Sequence, residues 1–179
     1  RMMRRSLRFS IQMLPLALLC AAPALAASVE MPIRKAGLWE IKMQHEGSKL
    51  PDVAIQQCTS EAIDREFTSE FAPTTKSACS KQDIQKTATG YVSDSVCAGG
   101  GATITSHAET SGDFESAYTV KVTSHSEGGK LGTHDSKMTL TAKWAGACKA
   151  DQKPGDIVMP GGLKMNLGDL RKLKAMMPK

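Results

Sequence analysis

The stretch YTVKVTSH, residues 118–125, alternates apolar and polar side chains and therefore predicts a β-strand with one buried face. The same period of two recurs on either side of it, at residues 102–109 and 138–144. In all three segments the even-numbered positions are mainly apolar or small, while Thr, Lys, His and Glu occupy most odd ones. Turn signals separate these segments and the one before them, at Thr89-Gly90, Ser111-Gly112-Asp113 and Gly128-Gly129. The pattern predicts an antiparallel meander with one buried face and one face in water.

A strand is also predicted at the start of the core domain. Residues 38–46 place Trp39, Ile41 and Met43 on one face and polar side chains on the other. A shorter extended segment follows at residues 53–57. Together with the meander, these segments predict a mainly β fold, either a curved antiparallel sheet or a small barrel.

One short core helix is predicted at residues 60–72, near one face or opening of the sheet. Ile63 and Phe67 lie at helical spacing, and Thr59 is the expected N-cap. The early acidic side chains raise the alternative of a catalytic carboxylate pair, formed by Asp64 with Glu61 or Glu66. Compensation of the helix dipole is the simpler interpretation of these acids.

The cysteines predict two disulfides, because an even number remains once an export segment is removed. The four are Cys58, Cys79, Cys97 and Cys148. None has the C-x-x-C spacing of a zinc or redox motif. Four cysteines allow three pairings, and the sequence alone does not choose among them. A hairpin around Thr89-Gly90 would bring Cys79 beside Cys97, which favours that pair together with Cys58–Cys148.

The first 26 residues have the three regions of a secretory signal peptide. A cationic start precedes an apolar stretch from about Phe9 to Ala22, and small residues then precede the expected cleavage between Ala26 and Ala27. This predicts a periplasmic or secreted protein. Four arginines of this segment account for most of the net charge of +5, so the chain from Ala27 onward is nearly neutral. That balance argues against a nucleic-acid partner.

Four segments are predicted along the chain: the signal peptide at 1–26, a β-rich disulfide-bearing domain at 27–150, a Pro/Gly-rich linker at 151–162, and a basic amphipathic helix or tail at 163–179. A basic helix can rest weakly on an anionic membrane surface or on a protein. Such contacts would involve Leu163, Leu167, Leu170, Arg171, Lys172 and Lys174. Packing on its own domain, or a frayed tail, is the favoured alternative for this segment.

Histidines are the first candidates for metal binding or catalysis. His125 and His134 flank the Gly128-Gly129 turn, but strand parity sends them to opposite faces, so they cannot converge on a metal. His107 shares the polar face with His125. The chain contains no G-x-S-x-G or H-E-x-x-H, and Gly99-Gly100-Gly101 predicts a flexible turn instead of a phosphate loop. No catalytic, cofactor-binding or metal-binding residue is therefore assigned, and no cofactor is expected.

The β-rich region contains three short motifs, Gly37-Leu38-Trp39-Glu40, Cys58-Thr59-Ser60-Glu61 and, after the meander, Gly146-Ala147-Cys148. Together with the Pro/Gly-rich tail, they resemble the exported bacterial proteins of domain-of-unknown-function family 3617. The resemblance covers roughly residues 33–162. It implies a periplasmic, disulfide-bearing, β-rich domain, and it brings no activity or catalytic residue with it.

These patterns favour a non-enzymatic binding or envelope-associated module. If the sheet curls, its apolar interior would hold a small apolar ligand. One alternative is a hydrolase-like enzyme whose site is assembled from scattered polar residues, with His107, His125 and His134 as the residues to test. Another is a structural or partner-binding protein that uses its C-terminal helix.

Overall fold

The computed structural model describes residue 29, residues 31–47, residue 49, residues 51–70, residues 79–169 and residue 172, without the side chains of residues 67–70. In chain order the elements are β1 (Gly37–Glu46), β2 (Val53–Thr59), α1 (Glu61–Glu70), β3 (Cys79–Lys86), β4 (Gly90–Gly99), β5 (Ala102–Asp113), β6 (Ala117–Gly128), β7 (His134–Gly146), β8 (Asp156–Val158) and β9 (Lys164–Asn166). The predicted mainly β fold is confirmed.

All nine strands belong to one antiparallel sheet, in the order β3-β4-β5-β6-β7-β1-β2-β8-β9. Strands β3 to β7 form the predicted meander, because each strand pairs with the next one along the chain. Strand β1 then lies between β7 and β2. The sheet ends at β3 and at β9, so it is open and the alternative of a small barrel is wrong.

The strand register confirms the predicted division into two faces. Residues that pair across neighbouring strands lie on the same face, and Tyr118, Val120 and Val122 pair with Ala142, Leu140 and Met138. Strand β1 continues this face, with Ile41 opposite Ala142 and Met43 opposite Leu140. We call the face with these residues the apolar face, and the opposite one, which carries Thr119, Lys121 and Thr123, the polar face.

Both favoured disulfides are present. Cys79 and Cys97 are opposite residues on β3 and β4, as the hairpin predicted. Cys58 at the end of β2 is bonded to Cys148, which follows β7, and the two residues are 90 positions apart in the chain. This second bond joins the two sides of β1, since β2 and β7 are its neighbours.

The buried core is small for a sheet of this size. Trp39, Ile41 and Ala142 form its centre, with exposed fractions of 0%, 6% and 2%. Five partly buried side chains pack around them: Met43, Ile55, Tyr118, Leu140 and Trp144. Because one sheet supplies nearly all of this packing, much of the apolar face keeps contact with solvent.

Helix α1 begins one residue later than expected and has a different cap. The Ser60 hydroxyl accepts a hydrogen bond from the Ile63 amide at 3.3 Å, so Ser60 is the N-cap residue in place of Thr59. The Thr59 hydroxyl instead contacts Asp64 at 3.3 Å. Residues 71 and 72, which the sequence adds to this helix, lie outside the described residues.

Two short strands lie where the sequence predicts a linker and the start of a helix. Residues 156–158 form β8, which pairs with β2, and residues 164–166 form β9, which pairs with β8. Proline and glycine residues make the turns around these strands, and a strand of three residues is too short to show alternation. Of the described residues after β9, 167–169 and 172 are helical. No helix in the described ranges is long and apolar enough to cross a membrane.

Candidate functional site

A buried ion pair between Arg34 and Asp64 closes one end of the apolar face. Their exposed fractions are 8% and 2%. The Asp64 carboxylate accepts hydrogen bonds from the Arg34 amide at 2.8 Å and from its Nε at 2.9 Å, and Nη2 makes a further contact. Because Arg34 precedes β1 and Asp64 lies in the first turns of α1, the pair fastens the helix to the start of the sheet.

Side chains from the sheet complete this cluster. Gln57 accepts a hydrogen bond from Nη1 of Arg34 at 3.1 Å, and the Arg34 guanidinium lies 5.8 Å from the centre of the Trp39 ring. Burial opposes the charge of Arg34, but hydrogen bonds and charge interactions with Asp64 and Tyr118 together outweigh that cost and raise the pKa of the guanidinium. We call this cluster the Arg34 clamp; its members are Arg34, Trp39, Gln57, Thr59, Asp64 and Tyr118.

The chemistry of the Arg34 clamp is that of a structural support. Burial raises the pKa of the Tyr118 phenol, so at neutral pH it stays protonated and is a poor base. The Asp64 carboxylate is fully engaged by Arg34 and Thr59. Among the described residues, no buried side-chain nitrogen or oxygen lacks a hydrogen-bond partner. Nothing in the clamp is therefore held ready for a substrate.

Four aromatic rings continue the clamp across the same end of the sheet. The rings of Trp39 and Tyr118 lie 5.6 Å apart, Tyr118 stacks on Phe114 at 4.6 Å, and Phe114 meets Tyr91 edge to face at 6.3 Å. The Lys35 amide also donates a hydrogen bond to the Phe114 carbonyl at 3.0 Å, which ties the segment before β1 to the β5–β6 turn. We call these four rings the aromatic row.

The centre of the apolar face is partly exposed. Two rows of side chains next to the aromatic row are mainly apolar or small, with Thr110 and His45 among their polar members, and the apolar ones have intermediate exposure. We call them the apolar band; its members are Met43, Val53, Ala108, Val120, Val122, Met138 and Leu140. The members of this band are neighbours across strands β2, β1, β7, β6 and β5.

A row of serines follows the apolar band, toward the end of the sheet away from the Arg34 clamp. Ser95, Ser106, Ser124 and Ser136 are successive cross-strand partners on β4, β5, β6 and β7. The hydroxyls of Ser124 and Ser136 are hydrogen-bonded at 2.8 Å. Those of Ser95 and Ser106 have no hydrogen-bond partner in the described part of the chain. We call these four residues the serine row.

Acidic side chains are confined to the polar face in β1 to β7. The register places every Asp and Glu of these strands there, namely Glu40, Glu46, Asp83, Asp94, Glu109, Asp113, Glu127 and Asp135. On the apolar face, the basic side chains of the same strands are His45, Lys86 and His134. The apolar face of these strands therefore carries no carboxylate.

Two histidines on the polar face are engaged by carboxylates. Nδ1 of His107 lies 2.8 Å from Asp94, and Nδ1 of His125 lies 2.6 Å from Asp135. The second ring nitrogen of each faces a glutamate two residues further along its strand, at 3.5 Å for His107 and 3.3 Å for His125. Hydrogen bonds to these acids raise the pKa of both imidazoles.

The predicted parity of the histidines is confirmed, with His107 and His125 on the polar face and His134 on the apolar face. His134 makes only a 3.3 Å contact with the Gly132 carbonyl. In the described part of the chain, no group of His, Cys, Asp or Glu is arranged to hold a metal ion. The structure thus does not bring the three histidines together.

The C-terminal residues are accounted for in part. Leu163 is 63% exposed, the Leu167 amide donates to the Gly155 carbonyl at 2.9 Å, and Lys172 lies 3.7 Å from Asp169. Leu170, Arg171 and Lys174 lie outside the described residues, as do Ala26 and Ala27. A shallow cavity of about 440 Å³ lies beside β8 and β9, but its polar groups bond to one another, Lys164 to Asp151 at 2.9 Å and Asn166 to Asp156 at 2.7 Å.

Comparison with known proteins identifies a family for this chain. The model of a family described as "Protein of unknown function (DUF3617)" matches residues 34–148. The matched region begins at Arg34 of the clamp and ends at Cys148 of the longer-range disulfide. Searches of curated proteins and of solved structures gave no match. Since the match covers more than half of its residues, this chain belongs to the DUF3617 family.

Proposed function

We propose that this protein is an exported, non-enzymatic binding module that holds a small apolar ligand against the apolar band. The observation that carries the proposal is the band itself, a group of neighbouring apolar side chains that stay partly exposed at the centre of the sheet. Exposed apolar patches of this kind are typical of binding surfaces. A ligand that removes about 300 Å² of apolar surface from water here gains roughly 7 kcal/mol before the cost of ordering it.

The polar clusters support binding over catalysis. A hydrolase needs a base or nucleophile that is held near a substrate and free to react. The Asp64 carboxylate is bonded to Arg34, and His107 and His125 are bonded to carboxylates. Neither cluster presents an unengaged base to the apolar band, which favours holding a ligand over transforming it. The imidazole of His45 also lies on this face, opposite Met138.

Location in the cell follows from the disulfides and from the predicted signal. Two disulfides are typical of a protein that folds in an oxidising environment outside the cytoplasm. The proposal adds that the signal peptide is removed between Ala26 and Ala27 and that the protein remains in the envelope. Intact mass of protein taken from the periplasmic fraction tests this, with a chain that begins at Ala27 and contains no free thiol as the expected result.

Ligand binding is tested with N-phenyl-1-naphthylamine, a neutral apolar dye that fluoresces when it leaves water. The protein used is the disulfide-bonded chain from residue 27 onward. Val122→Asp introduces a carboxylate into the apolar band, whereas Thr123→Asp introduces the same carboxylate one residue later on the polar face. We expect dye binding to be lost in the first variant and kept in the second.

Thermal unfolding of both variants controls for a loss of structure. If Val122→Asp does not fold, Ala108→Phe is used in its place, because it fills the apolar band without adding charge. No dye binding by the unaltered protein, or equal binding by Val122→Asp and Thr123→Asp, contradicts the proposed function.

A further inference from the structure

Resting on the proposed function, we infer that the ligand is a single-chain amphiphile with a carboxylate head, a fatty acid. Its hydrocarbon chain lies along the apolar band and its head lies at the serine row. The proposal joins three features of one face: the half-exposed apolar band, the hydroxyl groups at one end of it, and the absence of acidic side chains from the same face of β1 to β7.

The head of the ligand is placed at the end of the apolar band where polar side chains can still donate hydrogen bonds. At the clamp end, the polar groups of Arg34, Gln57 and Asp64 are bonded to one another. At the other end, Ser95 and Ser106 have no partner within the described residues. The Ser124–Ser136 pair shares one hydrogen between two hydroxyls and so has a second O–H to donate. Within the part of the chain that the structure describes, this end therefore offers more donors to a ligand than the clamp end does.

The apolar face of β1 to β7 is compatible with an anionic head. Because every carboxylate of β1 to β7 lies on the polar face, a carboxylate at the serine row meets no acidic side chain from these strands on its own side. The nearest ionisable positions on the apolar face are basic, with His45 one row before the serine row and His134 one row after it. A cationic head would find no acidic partner on these strands.

Dimensions of the face favour one chain. The serine row lies on β4 to β7 and the apolar band on β2, β1, β7, β6 and β5, so the two overlap on three strands, a width of about 10 Å. From Tyr118 of the aromatic row to Ser124 of the serine row, β6 rises about 20 Å, the length of an extended chain of roughly 14 to 16 carbons. The aromatic row and the clamp then limit the far end.

The test compares three probes with the same chain and different heads: tetradecanoate, tetradecanol and tetradecyltrimethylammonium. Each displaces N-phenyl-1-naphthylamine from the disulfide-bonded protein, below the concentration at which micelles form. Since hydrogen bonds to a charged group are worth more than those to a neutral one, we expect tetradecanoate to bind about tenfold more tightly than tetradecanol. The ammonium probe should bind no better than the alcohol.

Removal of the hydroxyls provides the second arm. Ser106→Ala with Ser124→Ala should abolish the preference for tetradecanoate, because its affinity should fall by more than that of tetradecanol. The matched control is Thr105→Ala with Thr123→Ala, which removes hydroxyls from adjacent positions of the same strands on the polar face and should change neither affinity.

The outcomes separate this inference from the proposed function. Displacement of the dye with equal affinity by all three heads overturns the fatty-acid assignment and leaves an apolar binding module. Failure of the dye to bind overturns both. Native mass spectrometry supplies the last measurement. A dimer that takes up no tetradecanoate indicates that a second copy of the chain covers the apolar face. A monomer that takes up no tetradecanoate indicates that residues of the same chain cover that face. Either result overturns the inference.

Discussion

Replacement of Asp64 by Asn should destabilise the fold by about 3 to 5 kcal/mol, because it leaves the Arg34 charge buried without a counterion. The shape of the side chain is kept, so no cavity forms. The new amide instead directs a donor toward the Arg34 N–H groups that Asp64 accepts at 2.8 and 2.9 Å. With Arg34 only 8% exposed, water cannot replace the lost partner.

The measurement is equilibrium unfolding in urea with both disulfides intact. For a domain of this size, the expected loss lowers the unfolding midpoint by about 2 M. The matched control is Glu61→Gln on the same helix. Glu61 bonds to Arg65 at 2.7 Å on the surface, where such a pair contributes no more than about 0.5 kcal/mol. Replacing both clamp partners, as Arg34→Met with Asp64→Leu, should cost less than Asp64→Asn alone.

Two results would refute this reasoning. If Asp64→Asn shifts the midpoint no more than Glu61→Gln does, the ion pair is not buried in solution as it is in the structure. If the change in unfolding free energy for Arg34→Met with Asp64→Leu equals the sum of the changes for the two single replacements, Arg34 and Asp64 are not energetically coupled. The clamp then does not act as a unit.

Two further predictions concern the histidines and the disulfides. Because the pKa values of His107 and His125 are raised in the folded protein, the two side chains should add stability that is fully present below about pH 6.5 and is lost as pH rises through the raised pKa. The variant with both histidines replaced by Gln should therefore have a lower melting temperature than the unaltered protein at pH 5.5 and nearly the same melting temperature at pH 9. An equal difference at both pH values would contradict this. Replacing Cys58 and Cys148 by Ser should lower the free energy of unfolding, measured in urea, by about 4 to 5 kcal/mol, and the same change at Cys79 and Cys97 should lower it by about 3 kcal/mol. The difference is expected because the first bond joins residues 90 positions apart and the second joins residues 18 positions apart. The reverse order would contradict the loop-entropy argument.

Much of the sheet could be predicted from local pattern alone. Alternation at residues 118–125 and 138–144 assigned each side chain to the correct face, because a strand has a period of two and one face is buried. The Cys79–Cys97 bond followed from the hairpin around Thr89-Gly90, which brings the two segments together, and a register shift between Cys79 and Lys81 then sets the two cysteines opposite one another. These features depend on contacts between consecutive strands, which the order of the chain reveals.

The Arg34 clamp could not be predicted in this way. Asp64 and Glu61 both lie in the first turn of α1, and both were interpreted as acids that complement the helix dipole. Asp64 is buried in its contacts with Arg34 and Thr59, whereas Glu61 stays in water. Arg34 lies 30 residues earlier, in a segment that belongs to no strand or helix, so no periodicity marks it.

Part of the serine row is visible in the sequence. Ser106, Ser124 and Ser136 occupy even-numbered positions, which the alternation assigned to the apolar face. Hydroxyls at such positions interrupt an apolar series, and their common row emerges only once the register of β4 to β7 is known. Strands β8 and β9 were missed for a different reason, because three-residue strands flanked by Pro and Gly have the composition of a linker.

The position of β1 between β7 and β2 has a kinetic consequence. Strand β1 is synthesised first, but its neighbour β7 is made last of the seven long strands, and the Cys58–Cys148 bond that spans this junction joins residues 90 positions apart. Until β7 exists, Trp39 and Ile41 have only β2 beside them. Pairings this distant in the chain form slowly, so the meander has to assemble before the first hairpin can dock on it. The N-terminal hairpin is therefore the part of the nascent protein that a holding chaperone would need to protect longest.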